Sequence, residues 1–306
     1  MIAVETVRLS YADVEAAAAW LGDRVVRTPV LRSAAVDRTA RRRLWLKAEN
    51  LQTTGSYRFR GALRAVGRLA REERVRGVVA HSTGDHATAV AVAAGRYGLP
   101  AALVLPVDAS PATVADVENA GGQVLLAGTT VDERAEVVEQ WHASTGYGVV
   151  DADNHVEAIA GLGTATWELV EQAGQQGTRL DAVVVPADGE ARTGGVAGAC
   201  LAVQGTDIAV YGAEPVGCDS FRRSPMSEAL TGLVAVDHEA IARALRFALF
   251  HLKVLVDPSA AAGLAAALQL AASVPFTDIG VLLTGGNADP AMVSWLLTGS
   301  GVPQRA

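Results

Sequence analysis

Several things are scarce in this sequence, and each shortage narrows what the chain can be. It has two cysteines, Cys200 and Cys218, which form neither a zinc-binding pattern nor a disulfide framework. Charged residues make up 19% of the 306, and 26 Lys and Arg face 33 Asp and Glu, a formal net charge of −7. That acidic balance, without a long basic run, argues against nucleic acid or an anionic membrane as partner. The triplet Arg41, Arg42, Arg43 is too short to be a basic patch. No apolar stretch, 260–273 included, reaches the ~20 uninterrupted residues of a membrane span. The opening MIAVETVRLS lacks the basic and apolar regions of a secretory leader, so a cytoplasmic location is expected. The six histidines, His81, His86, His142, His155, His238 and His251, show no metal-ligand spacing, and no metal site is expected. G-x-S-x-G, Walker and zincin motifs are missing, which leaves hydrolase and nucleotide readings without support. The sharpest shortage is lysine. Lys47 and Lys253 are the only two, so any chemistry that needs a lysine amine has two candidates.

What is present describes a globular protein with a sizeable core. Half of the residues are hydrophobic, and the length suits two modest domains or one large one. Short apolar runs at 44–49, 77–82, 101–106, 122–128, 147–152, 181–186, 208–215, 251–257 and 279–286 alternate with segments of helical spacing at 57–70, 85–96, 111–120, 157–173, 194–204 and 258–272. Continuous apolar runs separated by helices indicate buried parallel strands in βαβ units, hence an α/β fold. Ligands of such sheets bind at the carboxyl ends of strands. Three turns there are rich in Gly, Ser, Thr and Asn: HSTGDHA (81–87), PADGEARTGGVAG (186–198) and TGGNAD (284–289). Glycine permits close backbone approach, and free N–H groups at a helix start attract anions. A small anionic metabolite is therefore expected at these turns; the competing reading makes each a simple turn and helix cap.

In this order the segments resemble the fold-type II pyridoxal-phosphate enzymes, in particular the threonine dehydratase and serine racemase group, over nearly the whole chain. LKAENLQTTGSYRFRGA (46–62) is similar to that group's LKxEN-LQxTGSFKxRGA block. RVVRTPVLRS (24–33), HSTGDHATAVAVAA (81–94), GLGTATWEL (161–169), VYGAEP (210–215), VDPSAAAGLAAAL (256–268) and TGGNAD match further motifs in sequence order. The resemblance implies a two-domain fold with parallel sheets flanked by helices. A small domain of 50–148 would be inserted in a large one made of 1–49 and 149–306, and the chain would form a homodimer.

Several residues depart from the family pattern. The reactive lysine of the SFK element, which forms the Schiff base with pyridoxal phosphate, is here Arg58. A guanidinium stays protonated and is poorly nucleophilic, so it cannot replace an amine. Neither Lys47 nor Lys253 stands where the family has its reactive lysine. The Asn that meets the cofactor ring's oxygen is here Asp85, which we expect to pair with Arg58. The phosphate loop corresponds to Asp188, Gly189, Glu190, Ala191 and Arg192 through Gly195, with two carboxylates that would repel a phosphate and one arginine that would offset them. Thr284 completes this former cofactor site. CDSFRRSPMSEALTG (218–232) replaces a segment that supplies metal ligands in some members. On these grounds no cofactor is expected, with pyridoxal phosphate admitted only in non-covalent form.

The turn Ser82-Thr83-Gly84 with His86 is the expected subsite for a carboxylate-bearing substrate, since it binds the substrate carboxylate in the family. A serine at the position of Thr83 moves a proton on one face in serine racemases. Helix capping is the alternative duty of Ser82 and Thr83. Arg58, Thr83 and Asp85 are the expected catalytic residues, and His81 is a weaker acid–base candidate. Three functions follow: a repurposed lyase, cyclase or isomerase working without pyridoxal phosphate; a silent homologue that binds a metabolite or protein; and a dehydratase-like enzyme holding the cofactor non-covalently or carrying a Lys-to-Arg mutation.

Overall fold

The computed structural model describes residues 2–4, 7–72, 74–188, 192–218, 221 and 225–298. Gly189 and Glu190 lie outside the described residues, as does the side chain of Arg192. The chain divides into two compact units.

The first unit comprises Met1–Arg27, Gln52–Trp167 and Gly189–Gly205. Its four-stranded parallel sheet runs in the order Gln123–Leu126, Ala101–Leu105, Val78–His81, Gly148–Val149. All five residues of Ala101–Leu105 are buried, as a central parallel strand requires. The helix Asp85–Gly95 buries Ala87, Ala89, Val90, Ala91, Ala93 and Ala94. These small side chains let the helix Arg58–Leu69 pack closely against it. Two helix starts carry their own caps. Thr113 N donates to Ser110 Oγ at 3.1 Å ahead of Pro111, and Thr130 with Glu133 forms a capping box.

The second unit comprises Thr28–Leu51, Glu168–Asp188 and Thr206–Ala306. Its six-stranded sheet is ordered Gly232–Val236, Ala209–Pro215, Ala182–Pro186, Asp278–Leu283, Arg43–Ala48, Val30–Leu31, and only the last pairing is antiparallel. The alanine-rich helix Pro258–Ser273 lies in its core, started by Asp257, which accepts from Ala260 N at 2.7 Å. Two expectations meet corrections here. HLKVLVD (251–257) is not a strand: Ala248–Leu252 forms a π-helical turn, and Lys253 takes a left-handed backbone at φ 63, which breaks any extended run. The edge strand Gly232–Val236 falls in a stretch the apolar pattern had left empty, because half-exposed edge positions relax that pattern.

Candidate active site

In the first unit the candidate residues gather at the start of two packed helices. Arg58 opens the helix Arg58–Leu69, and Asp85 opens Asp85–Gly95. Asp85 is suited to that place, since a helix N-terminus favours a carboxylate. Arg58 carries its guanidinium 5.8 Å from the centre of the Tyr57 ring, and its Nη1 is buried. Between strand and helix, the buried Ser82 is committed to the turn: its N–H donates to Val104 O at 3.0 Å and its Oγ accepts from Gly84 N at 2.9 Å. Thr83 is exposed beside it.

His86 is buried, and its Nε2 donates to Val150 O at 2.9 Å. Burial pushes its pKa down to about 4 against the pull of that carbonyl, and the charge of Arg58 pushes the same way. The ring is thus neutral at neutral pH and pinned to the strand that ends at Val149. A carboxylate that the sequence reading missed, Asp151, follows that strand. It accepts from Asp153 N at 2.8 Å, Asn154 N at 3.2 Å and Asn154 Nδ2 at 2.9 Å. Burial opposes its charge, but these donors outweigh burial and, with the positive form of nearby His81, hold it below the usual carboxylate range.

The glycines at the start of the helix Arg192–Ala202 serve this chain's own packing. A Cβ at Gly194 would overlap the Ala152 carbonyl oxygen, and one at Gly195 would overlap the Tyr57 hydroxyl. Gly194 N donates to the Asp153 carboxylate at 2.8 Å, so an anionic side chain already meets this helix start. Sequence spacing gave no sign of Asp153 or Tyr57 in these places.

The second unit holds Asp188, which accepts from Ser259 Oγ, and Thr284, buried at the end of the strand Asp278–Leu283. Gly286 is pressed between Asn50 and the Leu255 carbonyl, where an added Cβ would come within 2.9 and 2.8 Å of them. Asn50 Nδ2 donates to Leu255 O at 3.0 Å, while its buried Oδ1 finds no donor among the described residues. Both lysines belong to this unit. Lys47 is fully buried and donates to Glu168 at 2.6 Å, Thr28 O at 2.8 Å and Gln172 at 2.8 Å. Lys253 is exposed and donates to Phe250 O. The unit that carries Arg58 and the Ser82–His86 turn therefore has no lysine. No cluster of three or more metal-ligating side chains occurs among the described residues, and no helix among them is long and apolar enough to cross a membrane.

Residues 22–232 match a family model described as pyridoxal-phosphate dependent enzyme. The chain is 30% identical to the L-threo-3-hydroxyaspartate ammonia-lyase of Saccharomyces cerevisiae, over 95% of this chain and 97% of the relative. It is 32% identical to the serine racemase of Oryza sativa subsp. indica, over 87% of each. A solved threonine deaminase from T.th. superposes with a TM-score of 0.83 at 34% identity, covering 92% of this chain and 99% of that one. The α/β fold with helix-flanked parallel sheets is that of these structures. The expectation that no cofactor is held is corrected by these matches, since the matching model is one of enzymes that depend on pyridoxal phosphate. Arginine at position 58 is no ground for excluding the cofactor.

Proposed function

Because the chain belongs to the family of pyridoxal-phosphate dependent enzymes, we propose that it is an amino-acid lyase or racemase that holds pyridoxal phosphate by charge and hydrogen bonds, with no covalent link to a lysine. One observation carries this reading: the unit bearing Ser56-Tyr57-Arg58 has no lysine, and the chain's two lysines are engaged elsewhere. The donor set of the first unit fits an anionic, unlinked group. Arg58 offers a permanent cation with several N–H donors at the start of its helix. The Asp153 carboxylate on Gly194 N is the feature that a bound phosphate would have to accommodate.

When bound, pyridoxal phosphate supplies an electron sink that acidifies the proton on the substrate's α-carbon. The chain's own residues do the rest. The exposed Thr83, with the N–H groups of its turn, receives the substrate carboxylate, while Ser82 keeps the turn in shape. Asp85 is the counter-charge of Arg58, as their places on two packed helices and the field of Arg58 at the neighbouring His86 support. The substrate class is a 3-hydroxy amino acid, by analogy with the hydroxyaspartate, serine and threonine of the relatives' names. We extend the reading to a homodimer, which sedimentation in solution checks.

The test combines the purified protein with pyridoxal phosphate and, in turn, L-serine, L-threonine and L-threo-3-hydroxyaspartate. Saturable cofactor binding, no cofactor mass fixed on the chain by borohydride, and formation of an oxo acid or the opposite enantiomer are expected. Arg58→Lys should acquire the borohydride-fixed mass. Cofactor fixed on the native chain would refute unlinked binding. Saturable binding without turnover of any of the three would leave a silent homologue.

A further inference from the structure

In an enzyme of this kind something must take the α-proton, and the family's usual amine is missing. The strands Val78–His81 and Gly148–Val149 are parallel neighbours in register, with Val78 opposite Gly148, Val79 opposite Val149, and Val150 N donating to Val79 O. Continuing that register two residues past the last pair brings Asp151 opposite His81, at the carboxyl ends of the two strands. Opposed residues of adjacent parallel strands lie on the same face, about 5 Å apart. The Asp151 carboxylate feels the positive charge of His81, and so does the ring of His86.

Two further details separate His81 from a histidine that only fills space. Its Nδ1 is buried and has no hydrogen-bond partner among the described residues, whereas the ring of His86, five residues on, is bonded to Val150 O. Buried polar atoms are seldom left without a partner, and the exceptions call for an explanation. His81 also immediately precedes the Ser82-Thr83-Gly84 turn, the carboxylate subsite of the proposed function. Asp151 is meanwhile held in position by three donors from Asp153 and Asn154.

We propose that His81, positioned and charge-stabilised by Asp151, is the proton-transfer group of this protein, replacing the amine that Arg58 cannot supply. The proposal rests on the cofactor-dependent reading above. The imidazole takes the proton of the substrate's Cα–H bond, and the bonding electron pair stays with the substrate. Asp151 balances the imidazolium so formed. In elimination the proton then leaves with the departing hydroxide as water. The titratable and charged groups that meet this pair include His86, neutral on the following helix, His155, whose ring feels Asp151, and, through its field at His86, Arg58 on the helix packed against that one.

The test follows exchange of the α-proton for solvent deuterium in L-serine and L-threo-3-hydroxyaspartate, with the pyridoxal-phosphate-loaded protein, alongside an NMR titration of the histidine rings. His81→Asn, which keeps a polar atom near Nδ1 but no basicity, should slow exchange at least 100-fold while leaving cofactor affinity unchanged. Added imidazole should restore part of the rate. Asp151→Asn should slow exchange and alter the ring resonances of His81. Exchange at the native rate in His81→Asn would overturn the proposal while the unlinked-cofactor reading stands. Exchange by neither native protein nor variants, with His81 and Asp151 still coupled in the titration, would make the pair structural. His81 ring resonances unmoved by Asp151→Asn would break the pair itself.

Discussion

His86 is a single buried ring whose protonation is tied to folding. Its pKa of about 4 in the folded chain stands against 6.5 for an unperturbed histidine, chiefly through burial. The folded state therefore binds fewer protons than the unfolded one between those values, and stability rises with pH through that window. The contribution is complete above about pH 6.5 and is lost as the pH falls toward 4; its full size is about 3 kcal/mol. His86→Gln keeps an amide donor for Val150 O and does not titrate. Urea midpoints taken from pH 4 to 7 should show a shallower slope for the variant than for the native protein. At this scale the sequence told only part of the story. Arg58 was legible because its neighbours Ser56 and Tyr57 stand in a recognisable motif. Asp151 and Asp153 were not, because their importance comes from strand register and from a helix start 41 residues away in sequence.

Among elements, the glycines near helix starts were the least readable. The spacing of Gly194 and Gly195 suggested room for a ligand, yet the room is taken by Ala152 and Tyr57. Gly194→Ala should accordingly displace the start of the helix Arg192–Ala202 and destabilise the protein by about 1–3 kcal/mol, in the range of overpacked cores. Gly174, in the last turn of the helix Val156–Gln175, has nothing within 4 Å of its Cβ position. Gly174→Ala should therefore raise stability by up to about 1 kcal/mol through helix propensity. Thermal unfolding of the two variants side by side separates these opposite effects. Helix bounds were otherwise well marked: Pro111 after Ser110 and Pro258 after Asp257 announce their helices in the sequence, and the side chains before them do cap. The segment 251–257 misled because its apolar residues alternate like a strand's, while Lys253 turns left-handed.

For the molecule as a whole, the order of motifs carried the fold, since each motif lies at a strand end or helix start that the α/β architecture repeats. The buried ion pair of Lys47 and Glu168 belongs to this scale, for it ties the strand Arg43–Ala48 to the helical residues 168–175 within the second unit. Lys47→Met leaves the Glu168 charge buried without its cation and should cost about 3–5 kcal/mol. Adding Glu168→Leu should recover much of that loss, a difference measurable by denaturant unfolding. Neither change should alter whether borohydride fixes cofactor on the chain, because Lys47 is enclosed by its own partners.

The absence of lysine from the first unit reaches beyond catalysis. Reducing sugars, acyl thioesters and other electrophiles that decorate protein side-chain amines would find no such target on that part of the surface, so among side chains glycation and acetylation should mark the exposed Lys253 of the other unit.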